Sequence, residues 1–230
     1  MSNQLPNGFT YLSEHDNTIL QDIRYAYDHN FIGKPLDGYE AEKCVVSEKM
    51  VGPLLNAQKD AKSHGYTLKV YEGYRPLRAA ANIIFWAKDK ADQVMKEEFY
   101  KHINKADVFE LGYVAVRSAH SRGAAVDLTL VKDPAPNDNR WDKSQPIIDG
   151  IKPVNERFAD NSIDMGTSFD CFHEYSHTHN PNISAEAKKN RDLLCDIMHK
   201  NGFKNYSKEW WHFNLIDEPF PELYFDFPIR

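Results

Sequence analysis

Between Gly123 and Val131 the side chains alternate. Val126, Leu128 and Leu130 share one face, while Asp127 and Thr129 share the other. Alternation of this period marks a strand that lays one face on a core and keeps the other polar. The segment therefore predicts a sheet with a carboxylate on its polar face. A second alternating run, Tyr66-Thr67-Leu68-Lys69-Val70-Tyr71, predicts a strand that runs into the turn Gly73-Tyr74-Arg75-Pro76. A third strand is expected over Trp210 to Leu215, and short strands near Phe9 to Leu12 and Cys44 to Val46.

Helical patterns lie between these strands. Ser47 is a favourable N-cap for a helix carrying Val51, Leu54, Leu55, Gln58 and Ala61, with Gly65 as its stop. A long helical stretch is expected over roughly Leu77 to Ile103, and a capped amphipathic helix from Ser184 to His199. A polar, Pro-containing loop spans about Lys132 to Pro153. The mixture lacks a regular βαβ rhythm, which favours an α+β fold with a central antiparallel sheet flanked by helices. No repeat or linker divides the chain, so residues 1–230 read as one domain, with the loop-rich 1–46 integral to it.

Composition excludes several roles. A net charge of −6 with scattered Lys and Arg argues against nucleic-acid binding by phosphate neutralisation. Apolar runs are too short to span a bilayer. The start, Met1 to Gly8, has neither the basic nor the apolar region of a signal peptide, so a cytoplasmic location is expected, or a periplasmic one if a leader was removed. Cys44, Cys171 and Cys195 are odd in number and contain no C-x-x-C, which fits free thiols in a reducing compartment.

Two short motifs carry chemistry. Ser118-Ala119-His120-Ser121-Arg122-Gly123-Ala124-Ala125-Val126-Asp127 and Glu209-Trp210-Trp211-His212 together offer two imidazoles and a carboxylate for a metal, and a second carboxylate as base. A catalytic zinc has three protein ligands and one open position, a set that His120, Asp127 and His212 would complete. Glu209 would then act as general base and acid. Positions three apart on a regular strand face opposite ways, so Glu209 must sit at a bulge or in the turn before the strand if it is to join His212. Phe172 to His179 contains His173, His177 and His179, whose spacing raises a second metal site against the alternative of rim histidines. Trp210 and Trp211 could line the pocket or pack on the sheet.

Ser118-x-His120-x2-Gly123-x-Ala125-x-Asp127 with Glu209-x2-His212 resembles the zinc D-alanyl-D-alanine dipeptidases of the VanX type, relatives of the zinc D-Ala-D-Ala carboxypeptidases and the hedgehog signalling domain. Further matches are Asn30-Phe31-x-Gly33-Lys34-Pro35, Tyr74-Arg75-Pro76, Asp164-Met165-Gly166-Thr167-x-Phe169-Asp170, Asn190-Arg191-x-Leu193-Leu194, Gly202-Phe203 and Tyr224-Phe225-Asp226-Phe227-Pro228. The resemblance implies one zinc on the sheet held by His120, Asp127 and His212, with Glu209 as base. Arg75 would stabilise the tetrahedral intermediate. Asp164 and Tyr25 would receive the substrate ammonium, with Ser118 near metal and substrate. It implies hydrolysis of D-Ala-D-Ala to two D-alanines, a small dipeptide as partner, and no nucleic acid or membrane. Oligomeric state is open. The competing readings are a peptidoglycan D,D-carboxypeptidase or endopeptidase of the same zinc group, and a zinc-binding protein without catalysis, against which the intact Glu209 and Arg75 argue.

Overall fold

The computed structural model describes residues 5–137 and 139–230. Its elements are β1 (Phe9–Tyr11), β2 (Leu20–Gln21), β3 (Val45–Ser47), α1 (Glu48–Ser63), β4 (Tyr66–Glu72), α2 (Leu77–Lys88), α3 (Lys96–Phe99), β5 (Ala125–Lys132), α4 (Ala185–Lys200), β6 (Phe203–Asn205) and β7 (His212–Leu215), with short 3₁₀ turns between them. The fold is α+β, as the patterning predicts.

Five strands form the main sheet in the order β2-β4-β5-β7-β6. β2 pairs parallel to β4, so the sheet is antiparallel except at one edge. β1 and β3 make a separate antiparallel pair. Val126, Leu128 and Leu130 are fully buried on the apolar side of β5. α1 and α4 pack against the sheet and each other.

One irregularity in β4 matters for the site. The register runs Leu68↔Leu130 and Val70↔Leu128, then shifts so that Glu72 lies opposite Asp127. Directly opposed residues share a face. Without the extra residue Glu72 would oppose Val126 on the apolar side; the bulge turns it to the polar side instead. β7 continues the row by placing His212 opposite Asp127. Three adjacent strands thus carry Glu72, Asp127 and His212 in line.

Two element boundaries differ from the sequence expectation, and one cap is built differently. Ser47 occupies the N-cap of α1, but its hydroxyl makes no capping bond; the Glu48 amide is satisfied by the carbonyl of Gly8 (2.8 Å). The expected helix from Leu77 to Ile103 stops at Lys88. There the Asp89 carboxylate accepts from the Ala91 amide (3.0 Å), and the buried Lys105 ammonium binds the carbonyls of Asp89 (2.8 Å) and Asp92 (2.7 Å) from outside the helix. Lys105 also lies 4.1 Å from the Trp86 ring centroid, so a cation-π contact helps hold it against the broken end. The last strand begins at His212, two residues later than expected. Trp210 and Trp211 belong to the preceding turn and are buried edge to face, with the Trp210 indole donating to Thr167 Oγ1 (2.9 Å).

The long loop after β5 is tied back by buried charge. Arg24 bridges Asp22 (2.8 Å) and Asp160 (2.9 Å), the Tyr71 hydroxyl donates to Asp160 (2.5 Å), and Lys69 donates to the Asp160 carbonyl. Within the same loop, Trp141 stacks on His29 at 4.7 Å. Gly150 donates to the Glu98 carbonyl (3.0 Å) and accepts from the Ser168 amide (2.8 Å). The three cysteines are buried and unpaired. Among the described residues no helix is long and apolar enough to cross a membrane.

Burial alone would raise the Asp160 carboxyl, but Lys69 and Arg24 outweigh it and hold it well below the usual range. Its stabilising effect is therefore complete above about pH 4, where the unfolded carboxyl is also ionised, and is lost as pH falls toward the depressed folded value. Asp160→Asn should cost about 3 kcal/mol at pH 7, since it leaves two buried cations short of a partner. Urea denaturation at pH 7 and pH 3 should show that deficit shrinking at the lower pH.

Candidate metal centre

The first motif folds as a short turn. Ser118 caps a 3₁₀ segment, Ala119–Arg122, by accepting from the His120 amide (3.2 Å), and Gly123 closes it in the left-handed region (φ 65°). A Cβ on Gly123 would meet Phe9 at 2.4 Å, so both the backbone and the space demand glycine here. The Phe225 amide donates to the Ser121 carbonyl (2.9 Å), so the aromatic tail braces the turn that carries His120.

The second motif lies in the tight connection between β6 and β7. The Glu209 amide donates to Tyr206, and the Tyr206 amide to His212. The Asn205 side chain donates to both the Glu209 carbonyl (3.0 Å) and the His212 carbonyl (3.1 Å). This turn resolves the spacing problem: Glu209 precedes the strand, and its Oε2 lies 3.8 Å from His212 Nδ1.

His120 Nε2, His212 Nδ1 and Asp127 Oδ1 form a triangle with sides of 3.2, 3.3 and 3.0 Å. Four-coordinate zinc, with bonds of about 2.0–2.2 Å, sets its ligands roughly 3.3–3.5 Å apart. Each ring is fixed from behind. His120 Nδ1 bonds the Gly73 carbonyl (2.7 Å), and His212 Nε2 bonds Asn214 Oδ1 (3.2 Å). Both partners are acceptors, so the inward nitrogens present lone pairs. Asp127 Oδ1 is buried with no hydrogen-bond donor. With both rings neutral, three electron-rich atoms converge here, an arrangement that a cation satisfies. Among the described residues this is the one group of three or more His, Cys, Asp or Glu ligand atoms that converge. His173, His177 and His179 form no such group: His173 Nδ1 accepts from the Tyr175 amide (3.0 Å), and His179 is exposed.

A cavity of about 280 Å³ opens over the triangle. Tyr25, Arg75, Ser118, His120, Asp127, Glu209 and His212 all line it, so seven of the eight residues singled out from the sequence meet there. Asp164 does not. Its carboxylate pairs with Arg157 (2.8 Å) and accepts from the Gly166 amide (2.9 Å), closing a turn away from the cavity. The acid beside Tyr25 is Asp170, six residues later. It receives the Tyr25 hydroxyl at 2.7 Å and adopts a left-handed backbone (φ 58°) that turns its side chain inward. Sequence reasoning missed Asp170 although it stands in the same motif, because the backbone reversal that selects between the two acids leaves no mark in spacing.

Glu72 was missed as well. Buried beneath the site, it takes Arg75 by two bonds (2.7 and 2.5 Å) and the Tyr39 hydroxyl (2.5 Å). The Arg75 guanidinium lies 5.2 Å from the Tyr25 ring centroid. Arg75 is therefore both a structural partner of a carboxylate and a wall of the cavity.

Charge across the site is unevenly distributed. Burial raises Glu209 to about 8; Asp127 and Asp170 add to the rise, while His212 and Arg75 oppose it. Burial alone would raise Asp127, but without a metal the positive charge and hydrogen bonds of protonated His120 and His212 reverse this and hold it well below the carboxylate range. Burial, reinforced by Asp127, also pushes Asp170 well above the usual carboxylate range, so Glu209 and Asp170 are the carboxyls that hold a proton most readily and Asp127 the one that stays ionised.

Comparisons with known proteins agree on one family. The Peptidase M15 family model, described as D-ala-D-ala dipeptidase, matches residues 7–137 and 157–230 and leaves the intervening loop outside. A D-alanyl-D-alanine dipeptidase of Enterococcus faecium is 38% identical over 97% of this chain and 98% of its own length. One from Streptomyces coelicolor is 36% identical over 96% and 98%, and one from Escherichia coli 30% identical over 84% and 77%.

The triangle predicts one equivalent of divalent metal per chain, and metal at a hundredfold excess over Kd should stabilise the fold by about 2.7 kcal/mol. His120→Ala and Asp127→Ala should each abolish that increment. Thermal melts with and without chelator, alongside metal analysis, check this.

Proposed function

The chain belongs to the Peptidase M15 family of D-alanyl-D-alanine dipeptidases, and on that footing we propose that it hydrolyses D-alanyl-D-alanine to two D-alanines, with zinc held by His120, Asp127 and His212. The observation that carries this reading is the meeting, in one cavity, of the His-Asp-His triangle, a carboxylate that is not part of it, and the Tyr25–Asp170 pair.

Zinc in such a site supplies a Lewis acid for the scissile carbonyl and acidifies water. Glu209 is placed to take the proton of the attacking water on its carboxylate and deliver it to the leaving amine nitrogen. Arg75, locked by Glu72 and backed by the Tyr25 ring, presents a fixed cation to the oxygen that gains charge. Because Glu72 and Tyr39 already hold this assembly, no reorganisation is needed as that charge develops.

Asp170 and the Tyr25 oxygen form an acceptor pair for the substrate ammonium. A longer peptide would place a neutral amide opposite Asp170 and leave the buried carboxylate without its cation, a loss that favours free dipeptides. The Asp170 assignment replaces Asp164, which lies outside the cavity with its Oδ1 engaged by Arg157 and the Gly166 amide.

The zinc-loaded protein should release D-alanine from D-Ala-D-Ala and leave L-Ala-L-Ala and a D-Ala-D-Ala-terminated pentapeptide intact. Cleavage of the pentapeptide would assign it to carboxypeptidase chemistry instead. Glu209→Gln should lower kcat by about 10²- to 10⁴-fold with bound metal unchanged. Asp170→Asn should act mainly on KM for the dipeptide, whereas Asp164→Asn should leave KM near the unaltered value.

A further inference from the structure

The Tyr25–Asp170 pair answers only one end of a zwitterionic dipeptide. The cavity wall also carries the carboxyl groups of Asp127, Asp170 and Glu209, with Glu72 beneath, none of which can pair with a substrate carboxylate. That end of the substrate calls for a cation on the wall. Arg75 lines the cavity but is committed to Glu72 through two hydrogen bonds.

The other arginine on the wall is Arg117, next to Ser118. It is exposed and, among the described residues, makes no ion pair with a carboxylate. Its guanidinium lies 5.6 Å from the Tyr224 ring centroid. The same ring is flanked by Arg122 at 5.4 Å, but Arg122 is tied to Glu218 (2.9 and 3.1 Å) and to the Tyr224 hydroxyl (3.1 Å). Tyr224 is therefore anchored through its hydroxyl while its ring lies against Arg117. A guanidinium held by a ring face keeps its N–H edge free, and that edge matches a carboxylate in two parallel bonds.

Resting on the dipeptidase reading, we propose that Arg117, oriented by Tyr224, is the residue that receives the substrate's C-terminal carboxylate. Arg117 thereby makes the enzyme selective for a free C-terminus, as Asp170 makes it selective for a free N-terminus. The aromatic tail, which supplies no group to the metal, takes part in specificity through this contact.

The test compares kcat/KM for D-Ala-D-Ala with that for its C-terminal amide. For the unaltered zinc enzyme the acid should be preferred. Arg117→Met should lower kcat/KM on the acid by about tenfold or more, as for loss of a charge-assisted hydrogen bond, and leave the amide unchanged, so that the preference collapses. Arg117→Lys should recover part of it. Tyr224→Leu should reduce the preference in the same direction, and Tyr224→Phe, which keeps the ring, should preserve more of it. Equal losses on acid and amide would overturn the role of Arg117 while leaving the dipeptidase reading intact. No turnover of either compound by the unaltered enzyme would overturn the dipeptidase reading, and this inference with it.

Discussion

Asp127 stands in the middle strand of the sheet, almost wholly removed from water, with an oxygen that no donor reaches. An ionised carboxylate in such a place costs several kcal/mol unless opposite charge meets it. Much of the surrounding architecture answers that demand. The turn of Ala119–Arg122 brings His120 over β5, the pairing of β5 with β7 sets His212 opposite, and both rings turn lone pairs toward the same point. The sheet thus holds a place for a cation before any substrate arrives.

The same strand pairing links the metal position to the rest of the chemistry. The bulge in β4 delivers Glu72 to the polar face, and Glu72 fixes Arg75 and Tyr39. Arg75 in turn lies against Tyr25, which bonds Asp170. The Arg75 and Asp170 sides of the cavity are therefore mechanically joined, and a change at any member of this chain of contacts is felt at the others. Glu209 stands apart, held by the short β6–β7 connection and the Asn205 amide.

Much of this was legible in the sequence where local pattern decides the outcome. Alternation marked β4 and β5, helical spacing marked α1 and α4, and the two motifs supplied the metal triangle and Glu209. The mismatch of Glu209 and His212 on a strand even forecast the turn that places them together. Information failed where long-range contacts decide. Lys105 breaks the long helix by reaching its carbonyls from sixteen and thirteen residues away. The bulge at Tyr71 that brings up Glu72 depends on the partner strand. That Asp170 rather than Asp164 meets Tyr25 is decided by contacts distant in sequence. β2 and β6, two and three residues long, are defined by their neighbours and carry too few side chains to show a period.

The loop missing from the family model packs onto Glu98 through Gly150 and, through the same residue, holds Ser168, two positions before Asp170. A Cβ on Gly150 would press on the Glu98 carbonyl at 2.8 Å and on Cys171 at 3.0 Å. The ligand triangle hangs from β5, β7 and a separate turn. The two halves of the cavity thus have separate foundations, one in the sheet and one in the loop that follows β5. A change in this loop would therefore shift Asp170 and its neighbours while leaving the His-Asp-His triangle on its own supports.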